Sequence, residues 1–125
     1  MQHRAGIIKT VAWVLRIVIS LTFIGHGTFA ILGNVHWLTY LNTVGFSIEM
    51  AKEVIVIIGV LDIIVAIMML IKPYKYVVLW AFIWAFATAL IRPISGESIL
   101  AFIERGANWG APLALYLLLY FRKNA

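Results

Sequence analysis

The 125-residue chain has no cysteine, which excludes disulfides, CxxC thiol exchange and iron–sulfur ligation in any compartment. A redox role must therefore use a borrowed cofactor. Charge is scarce as well, at 12% of residues, and acidic residues number only five against ten Lys and Arg. The formal charge of +5 does not point to nucleic acid, because the basic residues fall at the ends of apolar runs and form no patch interleaved with exposed aromatics. There is no glycine-rich phosphate loop and no Ser-His-Asp arrangement. No helix pairs a histidine with a carboxylate three or four residues away, so no metal site is expected. Haem is disfavoured too: a bis-histidine site needs two histidines at one depth, but His3 is terminal and His36 lies past the helix that holds His26.

Hydrophobic residues, by contrast, make up 64% of the chain, far beyond the balance of a water-soluble domain. The composition is that of an integral membrane protein, with residues 1–125 forming a single domain and no polar stretch long enough for a second. A spanning helix needs about 20 mainly apolar residues to cross roughly 30 Å of hydrocarbon. Segments at about 10–33, 53–71, 74–92 and 98–121 meet that need, predicting an all-α bundle of four transmembrane helices. Arg16 interrupts the first apolar run and no small-residue cleavage site follows, so this run is expected to be an uncleaved helix. Seven of the ten basic residues (Arg4, Lys9, Arg16, Lys72, Lys75, Arg122, Lys123) fall on one side, against Lys52, Arg92 and Arg105 on the other. The positive-inside rule then places both termini in the cytoplasm. The longest connection, NVHWLTYLNTVGFSIEMAKE, suits an interfacial segment anchored at the outer headgroups by Trp37, Tyr40 and Phe46.

Polar residues at membrane depth carry the functional signal, since each ionisable group there costs about 2.5–3.5 kcal/mol on insertion scales. His26, between Gly25 and Gly27, sits about 10 Å inside the outer end of the first helix. Glu53 opens the second helix on that side and Arg92 closes the third. The fourth helix is too short if it begins at Trp109, and starting it near Ser98 brings Glu104, Arg105 and Asn108 into the outer half. Alternatively, SILAFIERGAN is a short re-entrant or interfacial piece packed on the bundle, with Pro112 near the first turn of a short helix. Trp84, Thr88 and Arg92 share a helical stripe that Trp80 extends, as do Glu104, Asn108 and Pro112. The expectation is an enclosed polar pocket in the outer half, formed by His26, Glu53, Trp84, Arg92, Glu104, Arg105 and Asn108. Asp62 stands apart near the midplane, where Arg16 is the candidate partner for a buried ion pair; otherwise Arg16 snorkels to the headgroups and Asp62 stays a neutral acid.

An arginine near the start of the first helix, FIGHG toward its outer end, the run EVIVIIGVLDIIVAIMML and the stretch ERGANWGAPLALYLLL together resemble the DoxX/DoxD-like family of small four-helix membrane proteins. Arg16, Glu53, Glu104, Asn108 and Pro112 are the positions that match the family pattern. The resemblance covers nearly the whole chain and implies a multi-pass protein of a prokaryotic plasma membrane, related to the membrane subunits of thiosulfate:quinone oxidoreductase. It does not imply thiosulfate oxidation. Three function classes follow. One is a quinone-linked subunit of an oxidoreductase, with His26, Asn108 or Arg92 bonding a quinone carbonyl, Glu104 or Glu53 relaying protons and Trp84 packing the ring. The second is a non-catalytic scaffold whose polar cluster is structural. Solute or proton passage comes third, because the inner half offers only Arg16 and Asp62 as a polar path. The expected partners are the lipid bilayer and either a second copy or a redox subunit.

Overall fold

A computed structural model describes residues 2–121, and every described element is helical. The elements run α1 (Gln2–Ile31), α2 (Val35–Thr43), α3 (Ile48–Ile71), α4 (Lys75–Ile94), α5 (Ile99–Ile103) and α6 (Gly106–Tyr116), whose last turn widens to π-helical bonding at Leu117–Phe121. Three of them, α1, α3 and α4, are long and apolar enough to cross a membrane. Large side chains such as Ile57, Val60, Ile64 and Ile67 remain on the surface of α3, so its apolar residues are far from all consumed by the protein's own core.

The ends of the helices are set by local chemistry. Ser47 accepts a hydrogen bond from the Met50 amide, which starts α3 at Ile48, so Glu53 sits in its second turn instead of opening it. Asn34 caps α2 in the same way through the His36 amide. At the far end of α4, Gly96 takes a left-handed φ of 103°. Its amide bonds to Pro93 and the Glu97 amide returns to the Arg92 carbonyl, a Schellman closure that folds Glu97 back beside Arg92.

The core is built on α1 and α3, which pack antiparallel along their length. Their facing seams are Ile19, Phe23 and Ala30 on α1, and Ala51, Ile55, Ala66 and Met69 on α3. The register is read from contacts: Arg16 reaches Met69 and Leu70, Ser20 Oγ donates to the Ala66 carbonyl at 2.9 Å, and Gly27 meets Gly59. Small residues at the seam let the two backbones approach, the usual device where apolar surface gains little by leaving lipid. α4 packs on α6, and α6 also touches α1. Although only Lys72, Pro73 and Tyr74 join them, α3 and α4 meet weakly and leave a gap.

The fourth segment departs from the single helix expected over 98–121. It is broken at Arg105, where the backbone (φ −97°, ψ 15°) leaves the helical region between α5 and α6. Pro112 is the seventh residue of α6, in its second turn, and is fully buried. Having no N–H, it leaves the Asn108 carbonyl without its usual helical donor. The connection after α1 also differs from expectation. Its rings do not serve as exposed anchors: Trp37 and Tyr40 are buried, at 8% and 5% exposure, because α2 lays its 37, 40 and 41 face on α3 and α4. Arg122 and Lys123, used to orient the chain, lie outside the described residues.

Candidate functional site

Two spaces adjoin in the half of the bundle that carries α2. The first is an interior cavity of about 10 Å³, room for a single water, lined by Thr22 and His26 from α1, Asp62 from α3, Trp84 and Thr88 from α4, and Asn108 from α6. Four helices thus place polar groups on one spot. Trp84 and the Asp62 carboxyl face the same cavity. The Thr88 hydroxyl is turned to its own backbone, donating to the Ala85 carbonyl at 3.0 Å.

The second space is a crevice of about 190 Å³ between α2 and α4, reached from α3 by Ile58 alone; Trp37, Tyr40, Leu41 and Val44 line one side and Trp84, Ala87, Thr88 and Ile91 the other. Its walls are almost wholly apolar. Trp84 and Thr88 border both spaces, so the crevice ends on the residues that enclose the polar cavity. Trp80, one helical turn before it on α4, stacks on Trp84 with ring centroids 5.5 Å apart and a 13° interplanar angle.

Above the crevice runs a linked set of polar and aromatic groups. Arg92 Nη1 donates to the Tyr40 hydroxyl at 2.9 Å, and that hydroxyl donates in turn to Glu97 Oε2. The guanidinium also lies over the Tyr40 ring at 5.1 Å and the Trp37 ring at 5.8 Å, within cation–π range. Trp37 meets His26 edge-on at 6.0 Å, so the set reaches the rim of the interior cavity. Burial raises the Tyr40 phenol above its ordinary pKa, and the hydrogen bond to Glu97 pushes it the same way. Arg92 Nε is buried and has no hydrogen-bond partner among the described residues.

These positions sort the residues expected to share a pocket. His26, Trp84 and Asn108 line the interior cavity, and Arg92 stands next to it through Trp37. Glu53 is exposed on α3 and joins neither space. Glu104 is exposed and holds its chain neighbour Arg105 at 2.6 Å, while Arg105 also donates to the Ala101 carbonyl. Glu104 therefore stays with the α5–α6 break, whereas the Arg105 charge still acts on Tyr40. Arg16 and Asp62 form no ion pair. The Arg16 guanidinium donates from Nε to the Met69 carbonyl at 2.8 Å and from Nη2 to the Leu70 carbonyl at 2.7 Å, and it stacks on Trp13 at 3.8 Å. Those carbonyls lie about 10 Å along α3 from Asp62, beyond the reach that depth alone implied. Gly27, but not Gly25, has a neighbour close enough to need a missing side chain.

Depth alone does not mark Asp62 as a cavity residue, reads Tyr40 only as an interfacial anchor, and gives no sign of Glu97. A signal for Glu97 exists in RPISGE, where a glycine just past a helix end hands the next residue back toward the last turn. Among the described residues no group of three or more His, Asp or Glu could hold a metal ion. No protein-family model matches the chain, and neither does any curated protein or solved structure.

Proposed function

We propose that this chain is a four-span, DoxX-like integral membrane protein, with both termini cytoplasmic, that takes a quinone-type ring from the bilayer into the α2–α4 crevice as a subunit of a membrane oxidoreductase. The observation that carries the reading is the crevice: an apolar slot of about 190 Å³ that ends on Trp84 and Thr88, directly outside a cavity holding Asp62, His26 and Asn108. A ring fits a slot of that size and character, while a long tail does not and stays in lipid. Trp84 and Tyr40 supply flat aromatic walls, and the Thr88 and Tyr40 hydroxyls are the polar groups nearest a bound ring. A quinone would supply two-electron, two-proton redox chemistry; this chain's residues would orient it and exclude water. The fourth span would be α6 with its π-helical turn, 16 residues over Gly106–Phe121 and roughly 24 Å of rise, extended by α5 at one end.

The test is a titration of the purified protein with a short-chain ubiquinone analogue, followed by tryptophan fluorescence. Saturable quenching is expected, and Ala87→Phe, which fills the crevice from its lipid-facing side, should abolish the saturable part. Equal quenching in wild type and Ala87→Phe overturns the reading, because it means simple partition into the detergent or lipid.

One observation favours a second reading. The polar cavity has room for one water only, so His26, Asp62 and Asn108 serve a fixed internal network as well as they serve a ligand. In that reading the chain is a non-catalytic scaffold for a partner subunit. His26→Ala would then leave quinone binding absent in both proteins and reduce thermal stability.

A further inference from the structure

The opposite end of the bundle carries a separate groove. It holds about 580 Å³ beside the first half of α1, lined by Arg4, Lys9 and Arg16 with Trp13, Ile8 and Leu119. Leu119, on the π-helical turn after α6, closes it from the other side. The register of α1 on α3 fixes its level. Arg16 faces Met69 and Leu70 in the last turn of α3, so the residues before Trp13 project past the end of that helix. The groove therefore straddles the headgroup region of the bilayer and does not lie within the hydrocarbon.

Its charge is one-sided. The chain's acidic side chains are Glu49, Glu53, Asp62, Glu97 and Glu104. Four of these lie at the α2 end of the bundle and Asp62 midway along α3, so no acidic side chain lies at the groove. The one ion pair among the described residues, Glu104 with Arg105, is also at the α2 end. Arg16 is held in place by two neutral carbonyls, and its second Nη group has no acceptor among the described residues. A clamped cation, two exposed cations above it and apolar walls below are the parts that recognise an anionic amphiphile.

We propose that this groove binds the phosphate headgroup of an anionic phospholipid, with Arg16 and Lys9 on the phosphate, Arg4 on the headgroup beyond it, and Ile8 and Leu119 against the first acyl methylenes. The site rests on the reading that α1, α3 and α4 cross a bilayer, but not on quinone binding. Alkaline-carbonate extraction of membranes tests that premise by itself.

The decisive experiment is native mass spectrometry of the detergent-purified full chain, titrated in parallel with phosphatidylglycerol, phosphatidylcholine and inorganic phosphate. Phosphatidylglycerol adducts should survive at collision energies that strip phosphatidylcholine. Arg4→Gln with Lys9→Gln should weaken phosphatidylglycerol binding about 25-fold, at about fivefold per cation removed. These two side chains project outside the packed core, so the variant keeps its fold, which its unfolding temperature checks. Lys52→Gln, at the other end, should leave binding unchanged. Equal retention of the two lipids, an equal loss in Lys52→Gln, or full competition by millimolar inorganic phosphate would overturn the proposal.

Discussion

Gly27 and Gly59 touch backbone to backbone where α1 crosses α3. A Cβ built on Gly27 would stand 2.8 Å from the Gly59 carbonyl oxygen, and one built on Gly59 would stand 2.7 Å from the Gly27 oxygen. Real side chains do not sit that close to backbone, so any substitution must push the two helices apart. That separation would open the seam next to Asp62, whose Cβ is 3.0 Å from the same point.

Gly27→Ala and Gly59→Ala should each destabilise the protein by about 1–3 kcal/mol, the usual cost of overpacking a close contact. Gly25→Ala is the internal control. It lies two residues away, on another face of α1, with nothing within 4 Å, and replacing a helical glycine with alanine is neutral or gains up to about 1 kcal/mol. Unfolding temperatures in one detergent check all three, and equal losses at Gly25 and Gly27 would count against the contact.

Arg16 and Asp62 should behave as independent sites. Arg16→Gln removes the fork to Met69 and Leu70, while Asp62→Asn alters the interior cavity. With no shared partner, the double mutant should equal the two single losses combined to within about 0.5 kcal/mol. Arg16→Lys should also lose stability, because a single ammonium cannot reproduce the guanidinium fork or its stacking on Trp13. A coupling well above that limit in a thermal double-mutant cycle would restore the ion pair.

Tyr40 gives a pH dependence of defined sign. Its phenol is neutral in the fold and its pKa lies above the ordinary value near 10, first because it is buried and then because it donates to Glu97. A raised folded pKa means that the stabilisation is fully present below the unfolded pKa and is lost as pH rises through the folded one. Wild type should therefore lose stability above about pH 10 relative to Tyr40→Phe, which cannot ionise there. At neutral pH, Tyr40→Phe should instead cost about 1–3 kcal/mol, since it leaves Arg92 and Glu97 without their bridging hydroxyl. Melting curves of both proteins from pH 7 to 11 test the crossover.

Depth was legible in the sequence, and so were the three long apolar helices. His26, Trp84 and Asn108 were found because polar groups of similar depth stand out against apolar neighbours, and the structure does bring them to one cavity. Glu53 and Glu104 were grouped with them for the same reason, yet they point outward, one on an exposed face of α3 and one at the α5–α6 break. Glu97 went unseen because its place depends on a chain reversal at Gly96, and Tyr40 because an aromatic in a polar connection reads as an interfacial anchor.

What the sequence determined by itself is therefore longitudinal: where each apolar run begins and ends, and how far along its helix each charge lies. These follow from composition and from about 1.5 Å of rise per residue, both local properties. What only the tertiary structure decided is azimuthal and register-dependent. Each residue turns a helix by about 100°, so the side that faces a neighbour depends on which small residues let two backbones meet. The contact of Gly27 with Gly59 fixes that turn for α1 and α3. It carries Asp62 inward to His26, and it places Arg16 at the last turn of α3, away from Asp62 and beside the basic groove.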